Sequence, residues 1–514
     1  MATTSRQSYR LLVHLLFLTI ISTTTWAFNC SIPPIYVDIH KRAVHGMVAF
    51  QYGSFVGIGT PAQNQSMWVS LRSNETAVAA QDFCANSDLP GCDARGAYFE
   101  SGVSTSFTPI NDYKSADIAS DDDASGSFGK DTLHLYTHYF QSDPAWENSV
   151  PDFPVRVTSN SSGTGDRLGL GYGSTLLQRL FNSGMVASRA FSLYIGTAMD
   201  RAAGNVNGSI TLGGYDSARF TGQVFNYSIG SGEYPFGVRV SDIVVNNPDG
   251  TNQSLLDRSK FSNLPSDFTG FDAKISTEKY PMVFPAEVTK NFMSYLNAVP
   301  SDHPDGSLKL SNPFSGSLSI VLEGGFTVTL PKETLCNVSN LSPVAAIPPS
   351  TIGRNNTTKG DASQPFLLTT AWLSQVYMMV NYDADQTGAF FHLAQVVQNA
   401  PYIIPKTTCP RVAVSAYVAP RRSFFTAGLA GAIVGGVIGG LGLLTLACCT
   451  CLRWRRKVAM RKAMQGDSTD AEKGIEMKTK GVVGGKPADR DSSSETSEEE
   501  RSKESGAGAT GAGR

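Results

Sequence analysis

The chain has 514 residues, 41% of them hydrophobic and 17% charged, and a formal net charge of −2. That length allows two or three domains, and the composition lets most of the chain bury a core. With no global charge excess and no basic patch mixed with aromatics, nothing points to nucleic acid as a partner.

The first segment is an address. Arg6 and Arg10 precede an apolar run from Leu11 to Ile21, and Thr25 and Ala27 stand at the −3 and −1 positions of a cleavage site. This is the layout of a secretory signal peptide over residues 1–27, with an uncleaved anchor as the alternative. The mature chain then starts near Phe28. From about residue 45 to 400 the sequence reads as β-rich. Short β-branched and aromatic runs such as Ala190–Ile195, Ser209–Leu212, Leu318–Leu322 and Phe326–Leu330 are separated by Gly, Asn, Asp, Ser and Pro clusters. Helices are expected to be few and short, over Leu176–Phe181 and Pro285–Leu296. So much strand-forming sequence exceeds one ordinary domain and predicts two β lobes, set at 28–189 and 190–415.

After a juxtamembrane linker, 416–423, the stretch Phe424–Leu452 carries no charge. It is long enough to cross a bilayer as one helix. Arg421 and Arg422 precede it, but the heavier basic cluster lies after it: Arg453, Arg455, Arg456, Lys457, Arg461 and Lys462. Positive residues stay cytoplasmic, so a single-pass type I topology is expected, in the secretory pathway and at the plasma membrane or cell surface. A removable glycolipid-anchor signal is disfavoured by the polar tail beyond it. Gly431, Gly435 and Gly439 repeat at four-residue spacing, a pattern that lets two helices approach as a homodimer or is simply tolerated glycine. Residues 453–514, the cytoplasmic tail, end in acidic Ser/Glu and Gly/Ala runs that predict disorder.

Outside the membrane, sequons fall at Asn29, Asn64, Asn74, Asn160, Asn207, Asn226, Asn252, Asn337, Asn340, Asn355 and Asn356. That density predicts N-glycosylation. The lumenal cysteines are Cys30, Cys84, Cys92, Cys336 and Cys409, an odd number in a compartment that favours disulfides. Cys448, Cys449 and Cys451 are candidates for palmitoylation or ordinary helix residues. Histidine–acid pairs at metal spacing and a phosphate-binding glycine loop are both missing from the sequence, so neither a metal nor a nucleotide cofactor is expected.

Four stretches together resemble the pepsin-like aspartic peptidases (family A1). They are Phe55-Val-Gly-Ile-Gly-Thr-Pro-Ala-Gln63, Ala124-Ser-Gly-Ser-Phe-Gly-Lys-Asp-Thr-Leu133, Arg167-Leu-Gly-Leu-Gly-Tyr172 with Gly208-Ser-Ile-Thr-Leu-Gly-Gly-Tyr-Asp216, and Leu373 to Asp383 with Gln386-Thr-Gly388. The resemblance implies an all-β, bilobal fold with a substrate cleft between lobes. It also implies two catalytic aspartates, one per lobe, that share a proton: one activates water and the other polarises the scissile carbonyl.

The catalytic loops depart from that pattern. Counted from Ile58-Gly-Thr-Pro61, the first Asp position is Ser70, with Leu71 and Arg72 where Thr and Gly would stand. Aligned on Pro285, the second is Ser276, with Thr277 kept and Glu278 in place of Gly. The flap tyrosine position falls near Ile118. Arg72, Thr277, Glu278 and Ile118 are therefore the candidate cleft residues, and Arg72 and Glu278 are expected to meet near the cleft floor. Glu75, Asp272 and Glu278 are the acids near enough in sequence to be weighed as substitutes. The resemblance further implies a small disulfide Cys84–Cys92 after the first loop. A second, Cys336–Cys409, is expected in the second lobe and leaves Cys30 over. Serines at both positions favour a catalytically inactive surface glycoprotein that binds a peptide or glycan. The alternatives are an active membrane-anchored endopeptidase and a structural surface glycoprotein.

Overall fold

A computed structural model describes residues 29–43, 45, 50–82, 98–115, 126–137, 147–159, 166–197, 206–336, 339–346, 365–383, 389–409, 413–418 and 424–465. Residues up to Ala419 form one compact unit and those from Pro420 another.

The first unit is mainly β. Its largest sheet has 13 strands. From one edge it runs through Phe220–Ser228, Phe390–Val396, Val376–Asn381, Ala190–Tyr194, Gly208–Leu212, Ile35–Ala43, Phe50–Ile58 and Gln63–Ser70, and it continues to Thr108–Ile110 at the other. Strands from both ends of the chain thus lie side by side: Val37 pairs with Ile210, Ile210 with Leu193, and Leu193 with Met378. A second sheet of six strands is built around Gly237–Asn246. Along that strand Val238 and Val240 face the core, and then the phase changes so that Ile243 and Val245 do. The register against Ser317–Leu322 shifts between Val240 and Asp242, so the odd and even halves of the apolar pattern share one buried face across a bulge.

Two short helices belong to this unit. Thr175–Asn182 starts where the Ser174 side chain accepts from the Leu177 N–H, and it buries Leu176, Leu177 and Leu180. Ala286–Leu296 buries Val288, Phe292 and Leu296, one face at four-residue spacing, and stops at Asn297 in the left-handed conformation.

The cysteine pairing differs from expectation. Cys30 bonds to Cys409, with Cα atoms 5.9 Å apart. Cys336 takes no part in that bond, so the expected Cys336–Cys409 bridge is wrong and Cys30 is not left over. The reason is the strand pairing: Pro405–Thr407 lies against Gly214–Asp216, and the Thr407 hydroxyl donates to the carbonyl of Ile32 at 2.7 Å. Those contacts carry residue 409 to the start of the chain, whereas Cys336 sits at the end of the helical turn Lys332–Leu335. Cys84 and Cys92 lie outside the described residues.

The second unit contains the helix Phe424–Gln465, 42 residues long. It runs past Leu452, the expected end of the span, through the basic cluster. No glycine or proline interrupts that cluster before Gly466, and Arg, Lys, Ala and Met are good helix formers. The tail is therefore helical over 453–465, where disorder was expected. Over 441–461, the part of this helix whose side chains are described, it is not long and apolar enough to cross a membrane, and no other helix among the described residues is.

Candidate functional site: the two serine loops

Ser70 is the last residue of the strand Gln63–Ser70, which pairs in parallel with Arg167–Gly169. Ser276 comes directly after the strand Phe271–Ile275, which pairs in parallel with Leu367–Leu368. The same construction therefore occurs twice. In each copy the backbone is fastened to the parallel partner, by Leu170 N–H to the Ser70 carbonyl at 2.8 Å and by Ser276 N–H to the Leu368 carbonyl at 3.0 Å. The first loop is crossed so closely that Gly169 cannot carry a side chain: a Cβ there would stand 2.5 Å from the Glu75 carbonyl oxygen. The glycines of Arg167–Tyr172 are required by this crossing.

The structure brings the two loops together. Trp68 Nε1 donates to the carbonyl of Thr277 at 2.6 Å, and the Leu71 N–H donates to the Thr277 hydroxyl at 3.2 Å. The Ser70 hydroxyl donates to Glu278 Oε1 at 2.6 Å and accepts from the Ser73 N–H at 2.9 Å. Ser276 accepts from the Glu278 N–H at 3.2 Å. Ser70, Leu71, Ser276 and Thr277 are all 2% exposed or less. The carboxylate that reaches Ser70 thus comes from Glu278, the residue expected at a glycine position.

Arg72 and Glu278 do not make the expected ion pair. Arg72 is paired with Glu233 and lies over the ring of Tyr234, 5.6 Å from its centroid. Glu278 is engaged by Ser70. The Arg72 side chain is a third exposed, so it stays at the loop surface, and the carboxylate there is Glu233. Burial raises the Tyr234 hydroxyl pKa above its ordinary value, with the Arg72 charge opposing. Glu233 and Tyr234 were missed by the sequence reading. Their segment, Ser231-Gly-Glu-Tyr234, carries no motif that marks it.

The other acids are spoken for elsewhere. Glu75 is 2% exposed, and its Oε2 accepts from Arg156 Nη2 at 2.6 Å. Asp272 has a side chain 82% exposed and faces Arg239 at 3.4 Å. Ile118 lies outside the described residues, as do Asn160, Asn337, Asn355 and Asn356. Asn29, Asn64, Asn207, Asn226 and Asn252 are exposed, and Asn74 and Asn340 are half-buried. Asn74 Oδ1 accepts from the Gly173 N–H at 2.7 Å, so this sequon is built into the first loop.

Two strand–loop units of equivalent construction, facing each other in a mainly β body, are the architecture of a pepsin-like domain. The chain belongs to the eukaryotic aspartyl protease family, whose profile matches residues 51–389. It is similar to rhizopuspepsin-4 of Rhizopus niveus, with 23% identity over 296 residues that cover 55% of this chain and 66% of that protein. The match thus spans just under two thirds of that relative's length.

Proposed function

We propose that this family member is catalytically inactive and uses its cleft to bind a peptide or glycan at a membrane surface. The observation that carries this reading is the Ser70–Glu278 contact. Two carboxylates are needed, one as general base toward water and one protonated toward the carbonyl. Among the described residues, two buried serines and one carboxylate, Glu278, stand at the junction of the two loops, and that carboxylate already accepts a hydrogen bond. A serine hydroxyl does not ionise in the working range, so it cannot share a proton in the way a carboxylate does. Ser70 as a nucleophile is disfavoured by the same geometry. It has a carboxylate beside it, but it is 1% exposed and a scissile carbonyl does not reach it.

The membrane part of the proposal rests on sequence. The uncharged run Phe424–Leu452 with the basic cluster after it supports a type I anchor, and the signal-like start supports entry into the secretory pathway. A homodimer through Gly431, Gly435 and Gly439 is a further part of this reading.

The test is cleavage of a broad peptide library by the full chain in detergent, at about pH 3–6, where a carboxylate pair titrates. No cleavage is expected, with or without pepstatin. Pepstatin-sensitive cleavage that survives Ser70→Ala and Ser276→Ala would show that a working dyad lies elsewhere.

A further inference from the structure

A cavity of about 310 Å3 adjoins the serine loops on the side of Glu278. Its walls include Trp68, Glu278, Tyr280, Asp305, Glu333 and Thr334. We propose that this cavity takes the basic side chain, Lys or Arg, of a peptide lying in the cleft. The proposal rests on the binding reading above and names the ligand class of that site.

Three carboxylates line the space against one lysine, Lys279, and His303. One of the three, Asp305, is held by His303 at 2.6 Å and accepts from the Ser307 N–H. Glu333 meets only the end of its neighbour Lys332 among the ion pairs described, at 3.9 Å, and its side chain is 32% exposed. The lining thus holds three carboxylates against Lys279 and His303, so its formal charge is negative. Trp68 and Tyr280 add aromatic surface, which a cation favours. Trp68 is fixed in place by its bond to Thr277, and the Tyr280 carbonyl accepts a hydrogen bond from the Thr369 hydroxyl. Thr334 supplies an independent sign of an occupant. It is 4% exposed, and its hydroxyl has no hydrogen-bond partner among the described residues, although a buried hydroxyl ordinarily finds one. Lys279 and His303 are exposed, so the cavity opens to solvent beside them. An ammonium or guanidinium entering there meets carboxylate, aromatic face and hydroxyl together. An apolar or acidic side chain would take water from Glu333 without bringing it a cation.

The experiment titrates the full chain, in detergent, against a fluorescent octapeptide with one internal lysine, and against the same peptide with norleucine or glutamate there. The lysine peptide is expected to bind about tenfold more tightly than the norleucine one. That ratio should fall as salt is raised. Glu333→Gln, at a half-exposed position, should reduce the ratio, and an unchanged thermal midpoint separates this from misfolding. Equal affinity for lysine and norleucine, or binding of neither, overturns the proposal. Mass spectrometry of the recovered peptides separates the two readings. Cleaved peptide with a lysine preference sinks inactivity and keeps the cavity's assignment. Intact peptide bound without preference keeps inactivity and sinks the assignment.

Discussion

The indole N–H of Trp68 and the carbonyl of Thr277, 209 residues apart in sequence, meet at 2.6 Å and join the two serine loops. The indole is donor only, so phenylalanine keeps the ring and loses the bond. Trp68→Phe should destabilise the protein by about 1–3 kcal/mol, because a carbonyl is left without its partner. Urea titration tracked by circular dichroism measures this. An unchanged midpoint would mean that the loops do not depend on this bond.

The ion pair Glu75–Arg156 is buried on both sides. Removing one partner leaves the other charge out of water, so Glu75→Gln should cost about 3–5 kcal/mol. Replacing both, Glu75→Gln with Arg156→Met, should recover part of that loss. Thermal melts of the three variants give the comparison, and a double variant worse than the single one would contradict it.

Stability should fall on acidification from about pH 6.5 towards pH 4. Burial lowers the His392 pKa to about 4, and burial together with Arg42 lowers that of His40 to about 4. Both are therefore neutral in the folded protein where the unfolded chain, with an ordinary value near 6.5, already takes up protons. Stability from these groups is complete above about pH 6.5 and is lost as pH falls through the folded value. Glu147 acts in the same direction at lower pH. Burial alone would raise its pKa, but hydrogen bonds from His134 and Ser149 outweigh that and hold it below the ordinary value. Urea midpoints at pH 7, 5.5 and 4 should decline in that order. A flat profile would mean that these histidines take up protons in the fold at the same pH as in the unfolded chain.

Among the sequons, Asn207 and Asn252 should carry glycans and Asn74 should not. The first two are exposed. Asn74 is half-buried with its amide oxygen on the Gly173 N–H, and it lies so close to Gly173 that a Cβ there would stand 3.4 Å from Asn74 Nδ2. A sugar on that nitrogen has to displace the loop. Glycopeptide mass spectrometry decides it, and full occupancy at Asn74 would show that the first loop folds differently.

Much of the fold was legible because its signals are local. The β-branched run Ser209–Leu212 and the apolar spacing within Ala286–Leu296 need no distant information. The two serine positions rest on fixed counts from Ile58-Gly-Thr-Pro61 and to Pro285, which are local as well. Long-range pairing was not. Arg72 had several acids to choose from, and nothing near Glu233 announces it. The cysteine connectivity could not be deduced from spacing, since the true partners are 379 residues apart. The helix continuing to Gln465 was missed because charge was read as a tail, although the same residues are good helix formers.

The Cys30–Cys409 bond closes a span of 379 residues into one covalent loop. The Cα atoms of the two cysteines stand 5.9 Å apart, and residues 413–418 stay on the body, where the Tyr417 N–H donates to the Ser217 carbonyl. A protease that cuts one exposed connection between these cysteines leaves a nicked body whose halves part on a denaturing gel only after the bond is reduced.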